Sequence, residues 1–215
     1  MGNRKGKNHM SEERFDTRNF ERYAMSVLME FYCREWDCFR YGQGVESPDL
    51  QCEKLSIGIE VTRAIDRENG IPAEIIFEYF GNWNQTKQES WHSIRLWKDK
   101  ALFSARNSPY EFMIHLDTLH NSIKIKTEKL NRSYKVFRQN HLYIFTFNPA
   151  ISPEEIFALW KELEQEFAGS SMLQYDLLFL DCVDRLIVLK RKTGQIEEIF
   201  LDAKRLHTLQ QKAFA

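Results

Sequence analysis

Apolar residues recur at helical spacing in the first clearly patterned part of the chain. Between about Arg18 and Trp36 the apolar positions form one stripe, made of Phe20, Tyr23, Ala24, Val27, Leu28 and Phe31. Spacing of i, i+3/i+4 and i+7 predicts an amphipathic helix. Residues 1–14 before it are polar and carry several basic side chains, and we predict that they form a mobile basic tail. We expect residues 15–215 to fold as a single domain.

A period of two replaces the helical period from Leu55 to Thr62. The apolar residues of this stretch occupy alternate positions, and Ser56, Gly58, Glu60 and Thr62 occupy the positions between them. Strict alternation with β-branched residues predicts a strand, and Gly58 leaves room for close approach of a ligand or a backbone. Taken alone, the pattern slightly favours an amphipathic edge strand with Glu60 in water.

The rest of the pattern predicts a mixture of helices and strands. We expect helices over about Tyr110–Phe137, Ser152–Phe167 and Ala203–Ala213, strands over about Leu142–Phe147, Tyr175–Leu180, Arg185–Lys190 and Glu197–Leu201, a turn at Thr193-Gly194, a short helix opened by Pro72 and a loop over Asn82–Glu89. Ser152-Pro-Glu-Glu is a strong helix start. This order predicts an α/β fold, with a mixed central sheet flanked by helices and a β-rich C-terminal extension.

Composition narrows the class of protein without assigning a function. The chain of 215 residues is 43% hydrophobic and has a net charge of −1, so contact with nucleic acid requires a local basic patch. Neither a signal peptide nor an apolar stretch of roughly 18 residues is present, which predicts a soluble, cytoplasmic protein without a membrane span. The four cysteines lack metal-binding spacing and are expected to be free thiols. Nothing in the pattern decides the oligomeric state, and a homodimer is compatible with it.

Two acidic residues are candidates for metal binding. Asp49 lies in Ser47-Pro-Asp-Leu50, shortly before the strand that carries Glu60. Two acids on adjacent strands or on a hairpin can converge on one Mg²⁺ ion, which prefers hard oxygen ligands. Taken alone, Pro-Asp is also a common turn dipeptide.

A lysine interrupts the apolar face of the long predicted helix. Lys126 falls in the middle of a face that is formed by Leu119, Ile123, Leu130, Tyr134 and Phe137. Burying an unpaired lysine is costly, so its ammonium either extends to solvent or meets buried acids at the sheet surface. Lys124, Lys129 and Arg132 make the same helix basic, which is typical of a solvated face or of a surface that lines a phosphate backbone.

The segments Glu46-Ser-Pro-Asp49 and Ile57-Gly-Ile-Glu60-Val-Thr62-Arg resemble the PD-(D/E)xK nuclease core. The resemblance covers roughly residues 17–148 and implies a restriction-endonuclease-like fold that depends on Mg or Mn. It also implies that Asp49 and Glu60 bind the metal, together with the main-chain carbonyl of Val61. The family's lysine normally stands two positions after the glutamate, where this chain has Thr62.

Some members of this family carry the lysine on a neighbouring helix, which makes Lys126 the candidate here. Thr62 would then be a hydrogen-bonding neighbour in the site. Members often carry a further glutamate on the first helix, for which Glu21 is the candidate and Glu30 the second choice.

Three hypotheses follow from these patterns. The first is a metal-dependent nuclease that attacks DNA or RNA with an activated water. The second is a catalytically inactive relative that serves as a nucleic-acid-binding or assembly module, which the missing lysine at Thr62 supports. The third is a protein-interaction domain of another α/β fold, in which Asp49 and Glu60 would lie far apart and Lys126 would extend to solvent.

Overall fold

The computed structural model describes residues 17–33, 38–44, 46–64, 95–97, 100–102, 116–132, 134–146, 151–182 and 184–213. The strands are β1 (Arg40–Tyr41), β2 (Leu50–Cys52), β3 (Ile57–Arg63), β4 (Arg95–Trp97), β5 (Lys100–Leu102), β6 (Gln139–Phe145), β7 (Leu177–Asp181), β8 (Arg185–Lys190) and β9 (Gln195–Phe200). The predicted tail 1–14, the helix opened by Pro72 and the loop Asn82–Glu89 lie outside the described residues.

Seven of these strands form one mixed sheet in the order β1-β2-β3-β6-β7-β8-β9, and β4 and β5 form a separate antiparallel pair. The neighbours β3, β6 and β7 run parallel to one another, and the other pairs of the large sheet are antiparallel. The prediction of an α/β fold with a mixed sheet is therefore confirmed.

Strand β3 lies inside the sheet, between β2 and β6. All its residues from Ile57 to Val61 are buried, including Glu60. The edge-strand interpretation of this segment is therefore wrong. The polar positions of this segment lie on one face of β3. That face carries the buried acid Glu60 and is covered by protein, not by solvent.

Helices cover both faces of the large sheet. They are α1 (Thr17–Val27), which continues into a π-helical turn over Leu28–Tyr32, α2 (Leu116–Leu130), α3 (Pro153–Glu166) and α4 (Ala203–Ala213). Apolar side chains of α1 and α4 pack in one core on one face, and those of α2 and α3 pack in a second core on the other face. The predicted start of α3 is confirmed, because Ser152 and Glu155 form a reciprocal capping box.

The long predicted helix ends at Leu130, seven residues before its expected end at Phe137. The Asn131 side chain explains the difference, because its amide donates to the carbonyls of Thr127 and Leu173 and its oxygen accepts from the Leu173 N–H. These bonds to a residue far along the chain satisfy the helix end and redirect the backbone. Tyr134 therefore enters the core from a non-helical segment.

Two further observations complete the fold. Cys38 and Cys52 form a disulfide, so the prediction of four free thiols is wrong, while Cys33 and Cys182 are free. The bond ties the segment before β1 to β2, and no short cysteine motif in the sequence indicates it. Among the described residues, no helix is both long enough and apolar enough to cross a membrane.

Candidate active site

The β2–β3 hairpin brings Asp49 and Glu60 together. Leu50 pairs with Ile59, and continuing this register by one residue places Asp49 opposite Glu60, where side chains share a face of the sheet. The Asp49 Oδ2 atom accepts the Val61 N–H at 2.7 Å, which holds Asp49 against β3. The N–H and C=O of a strand residue point to the same neighbour, so the Val61 carbonyl is directed towards the side of β3 on which Asp49 lies.

Both carboxylate oxygens of Glu60 are engaged. Oε1 accepts from the Nζ atoms of Lys126 at 2.6 Å and Lys129 at 2.8 Å, and Oε2 accepts from the Tyr134 hydroxyl. The Glu60 side chain is only 2% exposed, whereas Lys126 is 22% and Lys129 is 36% exposed. Lys126 thus directs its ammonium to a buried acid at the sheet surface, and the two lysines connect that acid to solvent.

The two acids differ in their ionisation. Burial works to raise the pKa of Glu60, but Lys126, Lys129 and Tyr134 hold that pKa below its ordinary value. Burial and then the charge of Glu60 raise the pKa of Asp49 to about 7, against the opposing effects of the Val61 N–H and Lys126. Near neutral pH Glu60 is therefore ionised, while Asp49 is close to half protonated.

Two tyrosines support this cluster. The Tyr175 hydroxyl donates to the Lys126 carbonyl at 3.1 Å, and the Tyr134 hydroxyl donates to Glu60. Burial, followed by the charge of Glu60, raises the pKa of both tyrosines well above the ordinary value, so they are neutral donors. Sequence reasoning treated Tyr134 as an apolar core residue and missed Tyr175. The signal available for Tyr134 was that a buried tyrosine hydroxyl usually finds a partner.

The candidates on the first helix separate in the structure. Glu21 lies 3.7 Å from Arg18, and its charge makes a minor contribution to the raised pKa of Asp49, after burial and the charge of Glu60. Glu30 instead accepts a hydrogen bond from Arg205 on α4 at 3.0 Å. Thr62 follows Glu60 by two residues on the same face of β3 and is half-buried.

The residues predicted to contact nucleic acid occupy three different environments. Lys129 contacts Glu60 inside the acid cluster. Lys124 forms an ion pair with Glu166 of α3 at 3.1 Å. Arg132 is largely exposed and lies 3.6 Å from Glu128. Of the three, Lys129 is the one in direct contact with a candidate metal-binding acid.

The oxygens of Asp49, Glu60 and the Val61 carbonyl are hard donors of the kind that Mg²⁺ and Mn²⁺ prefer. Within the described part of the chain, no three or more histidine, cysteine, aspartate or glutamate side chains come together to hold a metal ion. From the described residues, a metal at this position would take two carboxylates and one main-chain oxygen, with water beside them. Such a sparse set is typical of Mg²⁺, which keeps several of its waters.

Comparison with known proteins adds no relative. No protein-family model matches the chain, and no curated protein or solved structure matches it significantly. The geometry around Asp49, Glu60 and Lys126 is therefore the observation that bears on function.

Proposed function

We propose that this chain is a metal-dependent phosphodiesterase that hydrolyses nucleic acid on a restriction-endonuclease-like core of the PD-(D/E)xK type. The observation that carries the proposal is a pair of facing acids, Asp49 and Glu60, with the Lys126 ammonium 2.6 Å from Glu60. A structural ion pair needs only one acid. Here burial and then the charge of Glu60 raise the pKa of the second acid, Asp49, and a divalent cation would relieve the repulsion between the two carboxylates.

Asp49, Glu60 and the Val61 carbonyl would hold Mg²⁺ or Mn²⁺. When bound, the cation would supply Lewis-acid polarisation of the phosphate and lower the pKa of water. Lys126 reaches the site from α2 with its ammonium at the carboxylate, and it can donate to a phosphoryl oxygen as negative charge develops there. Tyr134 fixes the orientation of the Glu60 carboxylate, and Glu21 and Thr62 lie at the margin of the site.

One observation favours a second function, that of a non-catalytic module for nucleic-acid binding or assembly. Lys126, Lys129 and Tyr134 already engage both oxygens of Glu60, and Thr62 stands where the family motif has its lysine. In that case the ionic cluster would stabilise the fold without catalysing a reaction. Binding to nucleic acid would then depend on salt and survive changes to the acids.

Cleavage assays with the full chain separate these two functions. We expect fluorescent DNA or RNA oligonucleotides to be hydrolysed with Mg²⁺ or Mn²⁺ and not with EDTA. Asp49→Asn or Glu60→Gln should abolish hydrolysis, and Lys126→Gln should lower it at least about 10²-fold. Glu30→Gln is the matched control, because it removes an acid from an ion pair with Arg205 outside the site. Cleavage close to wild type in Glu60→Gln would contradict the nuclease proposal. Binding without cleavage in the wild type would favour the module.

A further inference from the structure

A groove of about 460 Å³ lies beside the paired strands β1 and β2. We call it the basic groove, and the lining residues that define it are Arg40, Gln43, Gln51, Glu53, Lys54 and Lys135. Three of these side chains are cationic and one is anionic, in a chain whose net charge is −1. The groove therefore concentrates positive charge that the whole chain lacks, which is the condition for attracting an anionic ligand locally.

The basic groove adjoins the acids on the same face of the sheet. Arg40 pairs with Gln51, and Gln51 pairs with Gly58, so these positions form one row across β1, β2 and β3. Glu60 lies two residues along β3 from that row, a distance of about 7 Å. Side chains at i and i+2 of a strand point to the same face, so the groove and the acid cluster are neighbours.

Pro48 and Phe137 lie against Gly58, at the β3 end of that row. A side chain at Gly58 would bring its Cβ within 2.7 Å of both residues, so glycine is required there. Lys135 follows Tyr134 by one residue, and its main-chain N–H donates to the Glu46 carbonyl at 2.8 Å. The segment that supplies a hydroxyl to Glu60 therefore also supplies a cation to the groove.

We propose that the basic groove binds the phosphodiester backbone of the nucleic acid next to the point of cleavage. The inference rests on the proposed function and names its substrate-binding surface. Arg40 has the planar donor set that matches a phosphate, and Lys54 and Lys135 supply point charges. A strand needs only a nucleotide or two to extend from the acids into the groove, because the rise is about 3.4 Å per nucleotide in a duplex.

The Arg40 guanidinium donates through Nη1 to the Phe39 carbonyl at 2.7 Å, and the ion pair inside the groove is weak enough for a phosphate to replace it. The Lys135 ammonium pairs with Glu53, but these side chains are 45% and 73% exposed, and exposed pairs are weak. A phosphate can therefore replace the Glu53 carboxylate at little cost. Gln51 has a structural role, because its amide donates to the Pro48 carbonyl at 2.9 Å and holds the wall of the groove in place.

Salt-dependent binding of a single-stranded oligonucleotide to the full chain in EDTA tests this proposal. Each phosphate contact to a single strand contributes about −0.7 to the slope of log K against log salt. The variant Arg40→Gln/Lys54→Gln/Lys135→Gln should reduce the slope by about 2 and weaken binding at 50 mM salt on the order of 100-fold. The control Lys161→Gln/Lys192→Gln/Lys204→Gln removes the same charge from exposed positions on α3, the β8–β9 turn and α4, and it should leave the slope unchanged.

Two more variants extend the test. The first keeps the packing of Lys135, and the second removes a negative charge where the others remove positive charges. Arg40→Gln/Lys54→Gln leaves Lys135 over the Phe137 ring, where its Nζ lies 4.6 Å from the centroid, and it should still reduce the slope by about 1.4. Glu53→Gln removes the anion of the groove and should tighten binding roughly 3-fold.

The outcomes separate the two proposals. If the wild type cleaves but groove and control variants keep the same slope, the groove inference is overturned and the proposed function stands. If the wild type binds and the groove variant loses the slope without any cleavage, the groove is supported and the proposed catalysis fails. A wild type that neither binds nor cleaves overturns both.

Discussion

Two buried acids lie in the same sheet, on opposite faces and in different surroundings. Glu60 on β3 pairs with Leu142, which belongs to the core under α2 and α3, whereas Asp181 on β7 pairs with Phe145, which belongs to the core under α1 and α4. Both are almost fully buried, and both accept a tyrosine hydroxyl. Burial of a carboxylate is therefore not by itself the mark of a functional site.

The difference lies in what surrounds each carboxylate. Glu60 has a second acid beside it and two partly exposed lysines that connect it to solvent. Asp181 accepts from Tyr143 at 2.7 Å, and the Tyr143 ring packs against Phe145 and Phe179 in an aromatic core. The lysines beside Glu60 reach solvent, whereas the tyrosine that donates to Asp181 packs among aromatic rings. Under the proposed function we expect Glu60 to take part in the chemistry and Asp181 to stabilise the fold.

The largest expected difference is in catalysis. If the proposed function holds, Glu60→Gln should lower the rate of metal-dependent cleavage at least about 10³-fold, because it would remove a proposed ligand of the cation that stabilises transition-state charge. Asp181→Asn should stay within about 3-fold of wild type and lose only about 1 kcal/mol of stability, since an amide oxygen still accepts from Tyr143. Cleavage rates and thermal unfolding of both variants measure the contrast. Equal loss of activity at matched stability would remove the distinction between the acids.

The two lysines of the Glu60 cluster should also differ. Lys126 is the less exposed, and Tyr175 holds its main chain through the carbonyl. We expect Lys126→Gln to lower kcat about 10²- to 10³-fold, as for loss of a donor to developing charge, and Lys129→Gln to lower it about 10-fold. Single-turnover cleavage at saturating metal measures this ratio. A larger effect at Lys129 would transfer the proposed role from Lys126 to Lys129.

Removing one tyrosine hydroxyl from each acid gives a closely matched comparison. Tyr134→Phe frees the Glu60 carboxylate from its orienting donor and should lower Mn²⁺ affinity or activity about 10- to 100-fold. Tyr143→Phe makes the same deletion at Asp181 and should reduce stability by about 1.5–3 kcal/mol without changing metal affinity. Titration with Mn²⁺, followed by electron paramagnetic resonance, measures the metal affinity of both variants. Loss of metal affinity in Tyr143→Phe alone would move the metal site to the other face.

The same contrast shows what the sequence can predict. Local signals were sufficient where the chain determines its own structure, as in the capping box at Ser152 and the bounds of the final helix Ala203–Ala213. They failed where distant residues decide the outcome. The end of α2 depends on bonds between Asn131 and Leu173, and the interior position of β3 depends on its pairing with β6.

The geometry around Glu60 was predictable to the same extent as the fold. Helical periodicity identified Lys126, because a lysine on an apolar face needs a partner. Tyr175 carried no local signal, since its contact with the Lys126 carbonyl arises only when the segment before β7 packs on α2. The helix predicted to run to Phe137 would have included the groove lysine Lys135, and the early end of that helix places it beside β2 instead.

The smallest expected effect is the change in the free energy of unfolding with pH that Asp49 causes, and its direction follows from the raised pKa. Its folded pKa of about 7 lies above the ordinary value of 3.8, so between these pH values the folded chain binds one more proton than the unfolded chain. In the metal-free protein this group makes the free energy of unfolding fall as pH rises from about 4 to 7, and its contribution is constant above that range. Glu60, with a lowered pKa, acts in the opposite direction.

Asp49→Asn isolates the contribution, because the amide oxygen can still accept the Val61 N–H but does not titrate. Relative to wild type, the variant should be about equally stable at pH 4 and more stable by about 1 kcal/mol at pH 8, after allowance for partial exposure of the side chain. Urea unfolding in EDTA across this range measures the difference. A variant less stable than wild type at pH 8 would mean that the ionised Asp49 stabilises the fold. The two acids would then form a structural cluster like the one around Asp181, with no unfavourable charge for a cation to relieve.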